Sequence, residues 1–470
     1  MSDIQNETSA STPKKDNGVW ITDGAWISGL VGVIVLFVVA ILCHQNRWLD
    51  NGLLFLSIEL KTKLEVELFC LIVIAFSMCL VELLRLTLAG HKPIFSIAPS
   101  LLKGQYLDVI FKSFWRYLCY LALFHIVVFL YKVAPEYGFI EQSSYYLPWF
   151  KMCNWLLSAF TWFGFPYVLL TYALKYDEQK DKHSYHQLIE YLVFGLLARL
   201  KIIQRPADTI NNAQRKKILL GLTVRVFFAP LMTVFFIDQF GHLVSNFGYI
   251  VDWLPKNIAS GNYSHGTFNK DLMNLFKPII FSIDVTLAWC GYVITSRWLD
   301  NETQSTEPTL LGWLVCLISY PPFQLAGLYF LFPSESQILN LENHYFVTFF
   351  TVLTLLSFII YTISTVVFGV RFSNLTHRGI IRTGPFSIIR HPAYTSKNIG
   401  WWLGIFPVLL YLFFTGALQF VPLVLMTIAL AAQSYWYYWR ALTEERHLLI
   451  DPAYQEYCES VKYRFIPGVL

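Results

Sequence analysis

Charged residues are scarce in this chain. Asp, Glu, Lys and Arg supply 14% of its 470 residues, against about 25% in soluble domains, and that excludes an ordinary soluble fold. Cysteine spacing excludes two further classes. Cys43, Cys70, Cys79, Cys119, Cys153, Cys290, Cys316 and Cys458 include no C-x-x-C or zinc-type pattern. Seven of the eight fall in or at the ends of apolar runs, where a thiol is a small polarizable packing group, so neither disulfides nor a metal is expected. The opening MSDIQNETSASTPKKDNG lacks the charged-then-apolar layout of a secretory leader. It reads as a disordered tail through residue 25. Corresponding broken helices, the mark of many transporters, are missing. The net charge of +4 is small and sits in particular loops, which argues against nucleic acid as a partner.

What the chain has instead is apolar length. It is 55% hydrophobic and 17% aromatic, and runs of roughly 20 apolar residues, enough to cross about 30 Å of hydrocarbon, recur along it. The expectation is an all-α, polytopic integral membrane protein with about ten spans. They are placed at 26–44, 66–86, 113–132, 152–174, 218–237, 278–296, 309–331, 346–370, 398–414 and 417–439. Lysines and arginines crowd the intervals 175–217 and 371–397, whereas 133–150 and 332–345 hold glutamates. The positive-inside rule puts both basic intervals, and by counting both termini, in the cytoplasm. QLIEYLVFGLLARL (187–200) is too short to span and reads as an interfacial or re-entrant helix. A bacterial inner membrane, favoured, and an endoplasmic reticulum both fit; the sequons at Asn262 and Asn301 do not decide, since only the first falls in an expected outside loop.

An ionisable group inside a span costs about 2.5–3.5 kcal/mol at mid-bilayer, so each needs a reason. Glu82 and Arg85 stand three apart and read as a neutralised pair on one helical face. His125 reads as a packing histidine. Asp284 is the most expensive; it pairs with Arg225 or another basic group, or lines a polar cavity. None of these forms a recognisable site.

The last hundred residues differ. In TGPFSIIRHPAYTSKNIGWW (383–402) Gly384-Pro385 is a turn pair, and Pro392 suits the first position of a helix that His391 would cap. The open N–H groups of that helix, with Arg390 as a bidentate donor and Tyr394 as an aromatic face, suit an anion. Lys397, in the second turn, opposes the dipole preference; snorkelling or a nearby ligand or lipid phosphate would account for it. The following span returns through only about two residues near Thr415-Gly416, so Arg440, Glu444 and Glu445 come back beside Arg390 and His391. Such a pocket suits a polar ligand carrying both charges.

R-H-P-A-Y preceded by G-P-F, then E-E-R-H-L-L some fifty residues later and a terminal R-F-I-P, together resemble the isoprenylcysteine carboxyl methyltransferase and phospholipid methyltransferase superfamily. The resemblance covers residues 375–470. It implies a membrane enzyme using S-adenosylmethionine, bound by His391, Pro392, Tyr394, Glu444 and Glu445, with Arg390, His391, Glu444 and Arg440 about the reaction centre. Relatives carry a glycine where this chain has Ser396; Gly400, one turn later, is the expected source of clearance. Tyr394, Trp401, Trp402, Trp436, Tyr437 and Tyr438 are candidates for stacking or cation–π contact, or for an interfacial belt. A carboxylate acceptor needs no base, whereas an amine acceptor would pass a proton to His391 or Glu444. The expected division is a tail (1–25), a multi-span region that shapes an acceptor channel or binds a protein partner (26–344), and a catalytic region (345–470). The acceptor is a lipid or lipid-linked molecule. The rivals are a sterol-reductase-like enzyme using NADPH, whose Y-C-x-x-V-x-Y-R-x-I-P ending YCESVKYRFIP resembles, and a transporter or scaffold with a degenerate enzyme tail.

Overall fold

The computed structural model describes residues 20–90, 95–138, 145–181, 184–204, 210–261, 263–323 and 334–469. The fold is helical, with almost no sheet. The helices used below are α1 (Trp26–Gln45), α2 (Lys63–Ala89), α3 (Tyr106–Val133), α4 (Leu147–Leu174), α5 (His186–Arg199), α6 (Asn212–Ala259), α7 (His265–Val293), α8 (Leu310–Leu317), α9 (His344–Val366), α10 (Pro392–Phe414), α11 (Phe420–Leu448) and α12 (Pro452–Ser460). Among the described residues nine of these, all but α5, α8 and α12, are long and apolar enough to cross a membrane. The expected span at 309–331 is helical only over Leu310–Leu317, and residues 324–331 lie outside the described residues. The sequon asparagine Asn262 lies outside them too. Asn301 is buried, with its side chain bonded to Ile294 O and Ser296 N, so it is closed to glycosylation as folded.

The chain divides into two compact units, Met1–Val81 with Phe236–Gly291 and Glu307–Leu470, and Glu82–Phe235 with Tyr292–Thr306. The second is built on the antiparallel neighbours α3 and α4. There Asp181 takes Arg116 and Arg297, and Lys180 takes Glu302 at 3.0 Å. Glu82 and Arg85 form a bidentate pair at 2.6 and 2.9 Å. His125 bonds only the Leu121 carbonyl of its own helix. Arg225 donates to Thr303.

The first unit holds the C-terminal motifs. Local rules set its boundaries: Asn343 caps α9 through Phe346 N, Pro392 opens α10, and Asp451 caps α12 through Ala453 N with Pro452 at the first position. Gly416, in the left-handed region at φ +77°, turns the chain between α10 and α11. Small residues then let helices approach. A Cβ on Gly400 would stand 2.6 Å from the Phe358 ring, so the clearance expected there for a cofactor is filled by α9. Ser396 is buried in the same seam; its hydroxyl bonds Pro392 O and its carbonyl accepts from Ser357. Met273, Leu355, Phe358, Trp401, Ile405 and Leu430 form the core beneath.

Residues 20–25, counted with the tail in the sequence, are packed. Trp20 is buried with Ile380, Tyr454 and Tyr457, Thr22 bonds Ile380 O, and Asp23 takes the Arg382 guanidinium at 2.7 and 2.8 Å. Gly29 seals α1 against α9, since a Cβ there would lie 2.0 Å from Val366 O. Gly29→Leu is therefore expected to cost about 1–3 kcal/mol by overpacking. Thermal unfolding of detergent-solubilised protein checks it, with the exposed Leu30→Val as the silent control.

Candidate functional site

Two polar clusters meet at the start of α10. The first is a clasp. His391 has left the helical region (φ −124°, ψ 56°), as the following proline requires. Its N–H and that of Arg390 donate to Arg464 O and Tyr463 O at 3.0 and 2.9 Å, which ties down the chain after α12. The side chains converge on Glu445, which is buried on α11. Its Oε1 lies 3.1 Å from Arg390 Nε and 3.2 Å from His391 Nε2, while Oε2 accepts from Arg464 Nε at 2.8 Å. Both oxygens are spent, and three basic groups surround one carboxylate.

The second cluster is a cleft. Glu444 lies about 100° round the helix from Glu445 and so faces elsewhere. Its Oε2 accepts from Tyr394 Oη at 2.7 Å, and both line a polar cleft with Arg440, Asn374, His377 and Glu307. Arg440 donates to Asn374 Oδ1 at 2.7 Å, and its guanidinium lies over the rings of Tyr394 (5.1 Å), Tyr437 (5.6 Å) and Tyr320 (5.8 Å). Tyr394 stacks on His391, with ring centres 5.5 Å apart, and so touches both clusters. The space open to the centres of water molecules is about 70 Å³, room for several, since about 10–15 Å³ holds one.

Of the residues expected at the site, Tyr394, Glu444 and Arg440 line this cleft. Arg390, His391, Pro392 and Glu445 do not; they form the clasp beside it. Trp436 and Trp402 are tied inside the unit, to Val315 O and Ser434 Oγ. Sequence reasoning missed Glu307, Asn374, His377 and His447, which also line the cleft. Glu307 Oε1 accepts from Arg446 and Thr309, while its Oε2, like Thr376 Oγ1, is buried without a hydrogen-bond partner among the described residues. Arg371 and Arg378, counted in the sequence only as topology charges, are buried in the cleft's rim; Arg371 donates to Arg378 O, and Arg378 to Gly291 O. The signal for Glu307, Arg371, Asn374, His377 and Arg378 was weak, since they lie in irregular segments with no periodic pattern, whereas His447 lies on α11 within E-E-R-H-L-L.

Outside the spans, burial pushes His377 down to about 4, so it is neutral at pH 7, and raises Asp451, whose Oδ2 is 3.5 Å from His377 Nε2. Comparison with known protein families, with curated proteins and with solved structures found no match for this chain.

Two outcomes are expected. Glu445→Gln leaves the Arg390 and Arg464 guanidinium groups without their anion and should cost about 3 kcal/mol. Limited proteolysis should then cut residues 461–469; a tail still protected in a fully stable variant removes the clasp from the argument. His377 has a lower pKa folded than unfolded, so its contribution is complete above pH 6.5 and is lost as pH falls towards 4. Unfolding midpoints measured from pH 7.5 to 4 should decline, and His377→Gln should flatten the decline.

Proposed function

We propose that the chain is an S-adenosylmethionine-dependent methyltransferase of a membrane, acting on a lipid or lipid-linked acceptor from the cytoplasmic face. In this reading both termini lie on that face. One observation carries the reading: the Tyr394–Glu444 hydrogen bond joins the tyrosine of R-H-P-A-Y to the first glutamate of E-E, across the hairpin and on the wall of a polar cleft.

The donor set fits the cofactor. Glu444 and the free Oε2 of Glu307 suit its ammonium and ribose hydroxyls, and Tyr394 offers a ring face to a soft cation; Arg440 is left for an anionic acceptor. When bound, the cofactor supplies the sulfonium methyl. The chain's part is to position and to exclude water. A carboxylate acceptor leaves the protein no proton to manage. For an amine acceptor Glu444 is the carboxylate that faces the cleft, whereas the His391 ring is engaged with Glu445. The cleft is smaller than the roughly 300–1,000 Å³ of small-molecule sites, so binding requires the segment 372–379 at its rim to shift outward.

Retention of tritiated S-adenosylmethionine against NADPH tests the reading. Glu444→Gln and Tyr394→Phe should each weaken cofactor binding about tenfold or more with little change in unfolding midpoint. Hydrogen exchange in 372–379 should change when the cofactor is added. Retention of NADPH with none of S-adenosylmethionine would assign the fold to a reductase. Retention of neither, with both variants silent in cells, would favour a transporter or scaffold.

A further inference from the structure

Lys397 lies one helical turn beyond Tyr394 on α10, and the clasp and cleft leave it unused. Its Nζ stands 5.1 Å from the Tyr361 ring centre and 5.5 Å from that of Trp401, and Tyr437, Tyr320, Asp284 and Arg440 are its remaining ionisable neighbours. An ammonium has three N–H donors. Among the described residues none of the three has a hydrogen-bond acceptor, and no carboxylate comes within 4.0 Å. Asp284, the obvious counter-ion, is otherwise engaged: its oxygens accept from Tyr361 Oη and Thr365 Oγ1, both at 2.7 Å. That answers the sequence question about Asp284, which pairs with neither Arg225 nor a lysine. Arg440 resembles Lys397 in this respect. It has five N–H donors, with Asn374 as their one side-chain acceptor and tyrosine rings as its other contacts.

So two cations on adjacent arms of the hairpin share Tyr437 and Tyr320 as neighbours, and both keep donors in reserve. Lys397, Asp284, Tyr361 and Tyr320 are all only partly buried. A cation held by ring faces, at membrane depth, with donors unspent, costs free energy unless something accepts from it. The chemistry that fits is an oxyanion, whose several acceptor oxygens bridge an ammonium and a guanidinium. The depth of Lys397, within a helix able to cross a membrane, favours an oxyanion carried on a lipid.

We infer that Lys397 and Arg440 form a recognition site for the oxyanion of a lipid headgroup, a carboxylate or a phosphate, with Lys397 the residue that selects it. This deepens the methyltransferase reading by giving the acceptor's charge, and it rests on that reading only for the word acceptor. Anion binding itself needs no cofactor.

The test uses the full chain in nanodiscs of neutral phosphatidylcholine, with native mass spectrometry counting retained lipid. The probes are dioleoyl phosphatidic acid, oleoyl-glycine and, as the neutral control, dioleoylglycerol. Wild-type protein should retain at least one anionic probe about tenfold better than dioleoylglycerol. Lys397→Gln should lose that preference, and Lys397→Arg should keep most of it. Phosphatidic acid alone being preferred identifies a phosphate site, and oleoyl-glycine alone a carboxylate site. Equal retention of all three probes by wild type overturns the inference, with no variant needed. A folded Lys397→Gln that keeps the preference overturns it too. S-adenosylmethionine retention, measured on the same samples, separates the two readings: its failure with anion preference intact removes the methyltransferase and leaves the lipid site.

Discussion

One carboxylate with three basic partners fixes the geometry on which the candidate site depends. Glu445 sits at the end of α11, and Arg390, His391 and Arg464 reach it from the start of α10 and from the chain after α12. These basic groups come from two separate pieces of backbone and meet a carboxylate on a third, so the clasp locks both hairpin arms and the C-terminal segment in one register. Desolvating these charges is expensive, and only near-complete pairing offsets it. That pairing is met here, because each Glu445 oxygen has at least one partner. The consequence falls on the neighbouring residue. With Glu445 immobilised, helix geometry turns Glu444 into the cleft and onto Tyr394. Two adjacent glutamates of identical chemistry therefore take different positions, one closed and one open.

Close approach in the seams below does the rest of the positioning. Gly29 against Val366, Gly400 against Phe358 and Gly404 against Glu335 are contacts a larger side chain would open. The first joins α1 to α9, the second α9 to α10 and the third α10 to the segment before α9, and Tyr361, Lys397 and Trp401 occupy one neighbourhood although α9 and α10 both supply them. The packed segment 20–25 extends the same logic upward. Trp20 and Asp23 brace Arg382 and Ile380, in the chain that leads to the clasp.

Much of this was legible because local rules wrote it. Pro392 announces the start of α10, Gly416 the turn, and the apolar runs the helices; the fifty-residue return then follows from helix length. What the sequence hid was the set of partners. Periodicity placed Glu444 and Glu445 on α11, but nothing local said that one would be sealed by Arg464. Asp284 looked like a partner for Arg225, which instead bonds Thr303, while the groups that satisfy Asp284 are hydroxyls on α9. Ser396 looked like a departure from a glycine pattern and turns out to be a seam residue bonded to its own helix and to Ser357. The tail hid Trp20 because a lone tryptophan after polar residues has no period to read. Residues 309–331 have the composition of a span; their described part is an eight-residue helix followed by turns, and 324–331 lie outside the described residues.

Ion-paired groups and groups with no ion pair stand side by side within the same few turns of helix. In the clasp each basic side chain lies 3.2 Å or less from a Glu445 oxygen. The Arg116–Asp181–Arg297 cluster of the other unit is closed in the same way. Folding alone explains such clusters, since an unpaired buried charge would be selected against on stability grounds. Glu307, Arg440 and Lys397 differ: Glu307 meets Arg446 through Oε1 but keeps Oε2 without a hydrogen-bond partner among the described residues, and Arg440 and Lys397 keep donors unused. Stability does not account for that arrangement, because apolar residues of similar volume would pack there at lower cost. In the proposed reading, the spare Oε2 of Glu307 and the spare donors of Arg440 and Lys397 suit a partner, or pair of partners, that brings both signs of charge.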